Sequence, residues 1–156
     1  MSDRDHPGVI APPPLIYLGF LLGGWGLGRL AGLPGIGGDA AARMAVAGLL
    51  IGFGLAVELW AIGAFRRRRT AVQPWKPSTA LVADGPYRFS RNPIYLGFAV
   101  THLGLALALN SWLALALLIP CLVVVDRGVI AREERYLAAK FGAPYDVYRG
   151  RVRRWL

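Results

Sequence analysis

Two clusters of residues in this chain have the types and spacing that chemistry needs. The first is Ala83-Asp84-Gly85-Pro86-Tyr87-Arg88-Phe89-Ser90-Arg91-Asn92-Pro93-Ile94-Tyr95-Leu96-Gly97, where aromatic, cationic and turn-forming residues are mixed most densely. Gly85-Pro86 reads as a turn. Asn92-Pro93 reads as a helix start, with Asn as the cap and Pro at the first helical position. Tyr95 then lies on the first turn, where unpaired backbone N–H groups and the positive dipole end gather. Such a point suits a carboxylate or phosphate. The competing reading is a loop entering a membrane helix, with Arg88 and Arg91 against lipid headgroups. The second cluster is Glu133-Glu134. It is either a solvated face paired with Arg one turn away, or a site where one carboxylate turns inward to take an ammonium or a hydroxyl pair.

The elements that must position these clusters are apolar helices. The chain has 156 residues, one domain by size, with 55% hydrophobic and only 17% charged residues. The mean hydropathy is +0.44. A small soluble domain would struggle to cover that much apolar surface, so the reading is an all-α integral membrane protein. About four spans are expected, at 15–33, 40–65, 93–109 and 112–130, followed by a cytosolic segment 131–156. Asn110-Ser111 makes spans three and four a tight antiparallel hairpin. That hairpin returns Glu133-Glu134 to the level of Asn92 and Tyr95. Pro120 predicts a kink. Ile130, Leu137 and Phe141 recur at helical spacing, so an amphipathic helix continues span four into the cytosol and is stopped by Gly142, and Arg149, Arg151, Arg153, Arg154 and Trp155 read as a tail on the membrane surface.

Charge agrees with that topology. Of the 18 Lys and Arg, seven lie in Arg66–Arg91 and eight in Arg127–Arg154. Positive residues stay cytoplasmic, so both termini and both clusters are expected on the cytoplasmic side of the cell (inner) membrane. This accounts for the net charge of +9 without a nucleic-acid partner. Met1–Pro14 is polar and Pro-rich and lacks the basic start and cleavage site of a signal peptide. A single cysteine, Cys121, leaves no internal disulfide or cysteine-rich metal site, and no metal is expected. Glycines of the first span are spaced for close helix packing, within the chain or against a second copy. Glu58 either snorkels toward Arg66–Arg69 or holds a cationic ligand. His102 either makes a structural hydrogen bond or catalyses.

Taken together, Leu81-Val82, Gly85-Pro86-Tyr87, Arg91-Asn92-Pro93-Ile94-Tyr95-Leu96-Gly97, Glu133-Glu134, Leu137, Phe141-Gly142, Tyr145 and Tyr148 resemble the isoprenylcysteine carboxyl methyltransferases and the related phospholipid methyltransferases. The resemblance covers roughly Thr79 to the C-terminus. It implies an integral membrane enzyme with S-adenosylmethionine in a cytosol-facing pocket and a lipophilic or lipid-modified substrate entering from the bilayer. Carried over by position, Gln73, Thr79, Ala80, Leu81, Val82, Tyr87, Asn92, Pro93, Ile94, Tyr95, Glu133 and Glu134 would bind that cofactor. Apart from the carry-over, Arg88, Arg91 or Arg127 would orient an anionic acceptor, and Glu58 would draw a cationic one. Asn92 and Thr79 stand where the prenylcysteine enzymes have His, and Val129 where a substrate-side Arg is expected. The expected activity is methyl transfer to a lipophilic carboxylate, amine or thiol. Its rivals are a phospholipid-type N-methyltransferase, a membrane sterol-type reductase using NADPH, and a non-catalytic protein binding anionic lipid.

Overall fold

The computed structural model describes residues 6–156; Met1–Asp5, the start of the polar N-terminal stretch, lie outside the described residues. Among the described residues every regular element is helical. Helix α1 is Pro13–Leu30, opened by Pro at its first turn and ended three residues earlier than expected by the Ala31-Gly32 turn, where Gly32 has φ +66°. Helix α2, Ala40–Arg67, is capped by Asp39, whose Oδ1 accepts from Ala42 N at 2.7 Å. Its 28 residues reach ~42 Å at 1.5 Å per residue. Helix α3 is Pro93–Ala108. Helix α4 runs continuously over Trp112–Phe141, and α5 is Ala143–Arg151.

Among the described residues two helices, α2 and α4, are long and apolar enough to cross a membrane; α3 is apolar but shorter. The chain reverses between α3 and α4 through Asn110, in the left-handed region at φ +54°, and Ser111 caps α4 by accepting from Ala114 N at 3.2 Å. Helix α4 is irregular at two places. Regular helix lapses at Leu117, three residues before Pro120, whose missing N–H breaks the ladder there. A π-helical turn then occupies Asp126–Ile130, a feature frequent at functional sites.

The closest helix packing is not where the sequence put most of its glycine. In α1 only Gly24 and Gly28 meet α4, while Gly19, Gly23 and Gly26 face open space. The tight seam is α2 on α3. A β-carbon on Gly97 would lie 2.9 Å from the Gly54 carbonyl oxygen and 2.6 Å from Glu58 Cγ. Small residues there let two backbones touch. Glu58 does not snorkel toward the Arg66–Arg69 end; it is buried in this seam and accepts a 2.9 Å hydrogen bond from Thr101 Oγ1. His102 Nε2 donates to Ala114 O at 2.9 Å and ties α3 to α4, the structural role. Tyr17, Tyr95, Ala99, Leu118, Cys121, Val125, Val129 and Ile130 fill the core between α1, α3 and α4.

Overpacking a seam this close costs about 1–3 kcal/mol. Gly97→Ala is therefore expected to lower stability in detergent by that order, whereas Gly48→Ala, which meets nothing within 4 Å, should not lower it. Equal loss in both, read by chemical unfolding, would contradict the seam.

Candidate functional site

Five segments, four of them consecutive between residues 65 and 95, surround one cavity together with Pro7. The space between its walls is about 800 Å³, part of it open solvent. The walls are the end of α2, the irregular segment 71–82, the turn before α3, the start of α3, and the polar half of α4 with α5 behind it.

Each wall has a local cause. The segment after α2 is folded by Thr70: its hydroxyl accepts from Thr79 N at 2.9 Å, and Thr79 Oγ1 donates to Arg69 O at 3.2 Å. This turns Ala80, Leu81 and Val82 toward the cavity. Gly85 (φ +60°) starts a 3₁₀ turn over Gly85–Arg88, which buries Tyr87 edge-on against Phe65 at 5.4 Å between ring centres. Tyr148 of α5 donates its hydroxyl to Tyr87 O at 2.8 Å and locks the turn in place. Tyr145 and Tyr148 sit three apart, on one face of α5, and both are buried.

The start of α3 departs from expectation in one respect. Asn92 occupies the cap position with Pro93 behind it, but its side chain makes no cap hydrogen bond. Its Nδ2 donates instead to Arg154 O at 2.9 Å. No side chain satisfies the first turn of α3, which points its positive end toward the cavity wall.

The adjacent acids are treated differently. Glu133 faces the cavity and accepts a 2.7 Å hydrogen bond from the Tyr95 hydroxyl. Burial pushes its carboxyl up to about 7, opposed by the Tyr95 hydrogen bond and helped by the charge of Glu134. Glu134 takes Arg91 Nη2 at 2.6 Å and Arg154 Nη2 at 2.5 Å. Burial works against its ionisation, but the hydrogen bonds and charges of Arg154 and Arg91 hold it below the usual carboxylate range.

Of the expected cofactor contacts, Gln73, Ala80, Leu81, Val82, Tyr87, Asn92, Ile94, Tyr95, Glu133 and Glu134 line this one cavity. Thr79 and Pro93 do not: Thr79 is turned to Arg69, and Pro93 is buried as the first residue of α3. Of the arginines expected at an acceptor, Arg88 does not line the cavity, and Arg91 and Arg127 differ from that expectation. Arg91 reaches the cavity, but its guanidinium is engaged by Glu134 and by the carbonyls of Arg149 and Val152. Arg127 lies exposed on the π-turn, outside the cavity. The tail is also corrected. Arg149, Arg151 and Arg153 are exposed, but Arg154 and Trp155 fold back onto Asp126, and Arg154 onto Glu134. Ser78, Tyr136, Tyr145 and Tyr148 also line the cavity. Tyr145 and Tyr148 are among the residues that carry the family resemblance, whereas nothing in the sequence singled out Ser78 or Tyr136. Among the described residues no His, Cys, Asp and Glu cluster is placed to hold a metal.

Between about pH 4.5 and 7 the folded chain holds a proton on Glu133 that the unfolded chain releases, so this group makes stability fall as pH rises through that window. Glu133→Gln removes the effect. Relative to the wild type, it should raise the thermal midpoint by a few degrees at about pH 8 and change it little at about pH 5. An equal difference at both pH values would contradict this environment for Glu133.

Compared with known proteins, residues 42–144 match the family model described as phospholipid methyltransferase. The chain is 36% identical over 72 residues to the protein-S-isoprenylcysteine O-methyltransferase of Schizosaccharomyces pombe; the match covers 46% of this chain but only 30% of that enzyme's length. It is 41% identical over 63 residues to an uncharacterized protein of Haemophilus influenzae, covering 40% of this chain and all of that protein. No solved structure matches it. With more than half of its length described by the family model, the chain belongs to the phospholipid methyltransferase family.

Proposed function

We propose that this chain transfers a methyl group from S-adenosylmethionine to a lipophilic acceptor at the membrane. The observation that carries the reading is the Tyr95–Glu133 pair, which faces the cavity beside the uncapped start of α3. That places an acid opposite a positive helix end, which suits a ligand bearing both an ammonium and a carboxylate. The cavity's mixture of aromatic and polar lining suits the remaining nucleoside.

S-adenosylmethionine, when bound, supplies an electrophilic methyl on a positively charged sulfur. The chain supplies everything else. Glu133, with Tyr95 as its hydrogen-bond donor, would hold an ammonium or a hydroxyl pair. The N–H groups of Ile94 and Tyr95 would meet a carboxylate. Backbone of Ala80–Val82 and the rings of Phe65, Tyr87 and Tyr145 would enclose the adenosine. Transfer would join that methyl carbon to a lone pair of the acceptor as the carbon–sulfur electron pair stays on sulfur; a carboxylate acceptor would need no proton removed, and an amine or thiol would release one to water. Alignment and exclusion of water can supply much of the acceleration, with no metal needed.

In this reading α1 to α4 all cross the membrane. Both termini and the cavity face the cytoplasm of a cell (inner) membrane, because the Arg-rich ends of α2 and α4 lie at the cavity end. The isoprenylcysteine enzyme of Schizosaccharomyces pombe makes a lipophilic carboxylate the first acceptor class to try. A lipid amine is the second, and one observation favours it. Among the described residues, the cavity-lining Arg91 is engaged by acid and carbonyls and Arg127 lies outside the cavity, so neither of these arginines is open to an anionic acceptor.

Calorimetric titration of the detergent-purified chain with S-adenosylhomocysteine tests the reading. Saturable binding is expected, weakened about tenfold or more (about 1.4 kcal/mol) by Glu133→Ala and less by Tyr95→Phe. A well-folded sample that binds NADPH and not S-adenosylhomocysteine would point to a reductase instead, and one that binds neither to a lipid-binding protein.

A further inference from the structure

The C-terminal tail makes contacts that a surface tail would not need. After α5 the chain turns at Val152 and runs back beneath the start of α3, where Arg91 N donates to Arg153 O at 2.9 Å. Arg154 is used twice. Its carbonyl accepts from Asn92 Nδ2 at 2.9 Å and from Ser90 Oγ at 3.3 Å. Its guanidinium bridges two acids of α4, with Nη2 on Glu134 Oε2 at 2.5 Å and Nη1 on Asp126 Oδ2 at 3.0 Å. Trp155 Nε1 donates to the other Asp126 oxygen at 3.1 Å. A planar fork with fixed donors can span two carboxylates in this way; a lysine ammonium, a point charge on a flexible stem, cannot hold the same geometry.

The consequence concerns Glu133. It faces Tyr95 from α3, Tyr87 from the 3₁₀ turn, and Glu134 on its own helix; Tyr145 of α5 lies against Glu134. The nearest uncompensated charge would be Glu134, were it not for the two guanidinium groups upon it. We propose that Arg154 is a positioning residue for the cavity: it clamps Asp126 and Glu134 to the segment entering α3, so that Tyr95 stands opposite Glu133 and Glu133 alone of the two acids meets the ligand. This rests on the cofactor site proposed above. Arg154 itself does not line the cavity.

The test is titration of S-adenosylhomocysteine into the full chain between about pH 6 and 9 for the wild type, Arg154→Lys and Arg154→Gln. Wild-type binding should tighten as Glu133 ionises. Arg154→Gln leaves Glu134 with one cation, so the midpoint of that profile should rise by about half a unit or more, with several-fold weaker binding near neutrality and recovery at the alkaline end. Arg154→Lys should restore part of the shift. Unchanged binding, or a loss equal at every pH, overturns the proposal. In a Glu134→Gln background the Arg154→Gln shift should vanish, and its persistence would also overturn it. If the wild type binds no S-adenosylhomocysteine, the cofactor reading fails by itself. The pH profile of thermal unfolding then reads Glu133 without a ligand, and an unshifted profile in Arg154→Gln refutes the electrostatic clamp.

Discussion

The hydrogen bond from Tyr95 to Glu133 joins residues 38 apart in the chain, and the rest of the molecule is arranged to make it possible. Tyr95 lies on the first turn of α3, so its position depends on where that helix begins and how deep it sits. Pro93 and the buried segment before it set the beginning. The Gly54–Gly97 contact with α2 and the Tyr17 hydroxyl, which donates to Tyr95 O at 2.9 Å, set the depth. Glu133 depends on the rotation of α4. A π-turn immediately before it inserts an extra residue into the helical repeat and turns the following face. The apolar helices thus act as a frame whose function is to bring two polar side chains together at one end.

Two adjacent carboxylates on one helix would ordinarily repel and expose themselves. Here they diverge. Glu134 turns toward Arg91 and Arg154, where it is ionised and structural; Glu133 turns toward the cavity, where burial holds its proton to about pH 7. A half-neutralised acid in a cavity is a natural receptor for a cation, because the incoming charge supplies what the protein withholds. Arg91 belongs to the frame in this picture. Its three contacts to Glu134, Arg149 O and Val152 O close the cavity end of the fold.

Much of this was legible in the sequence, because its signals are local. Apolar run lengths placed the helices to within a few residues, and Gly85-Pro86, Asn92-Pro93 and Gly142 marked real breaks. Motif order in the chain brought together most of the residues that line the cavity. What failed depended on long-range geometry. Asn92 has the chemistry of a cap, but a carbonyl from the tail competes for its amide. Arg91 and Arg127 are cations near a motif, and nothing local reveals that one is engaged by Glu134 and the other faces out. Arg154 sits in a basic stretch where exposed arginines outnumber it, and only the fold shows that it alone meets two acids. Glycines in α1 were as conspicuous as those in α2 and α3, yet only helix rotation decides which touch.

The central claim is that the cavity beside Tyr95 and Glu133 receives the methyl donor. Anomalous diffraction from crystals of the chain grown with the selenium analogue of S-adenosylhomocysteine locates the donor atom directly. The account predicts one selenium peak inside the cavity, between Glu133 and the start of α3. A peak at the opposite end of the helices, or on the lipid-facing surface, would contradict it.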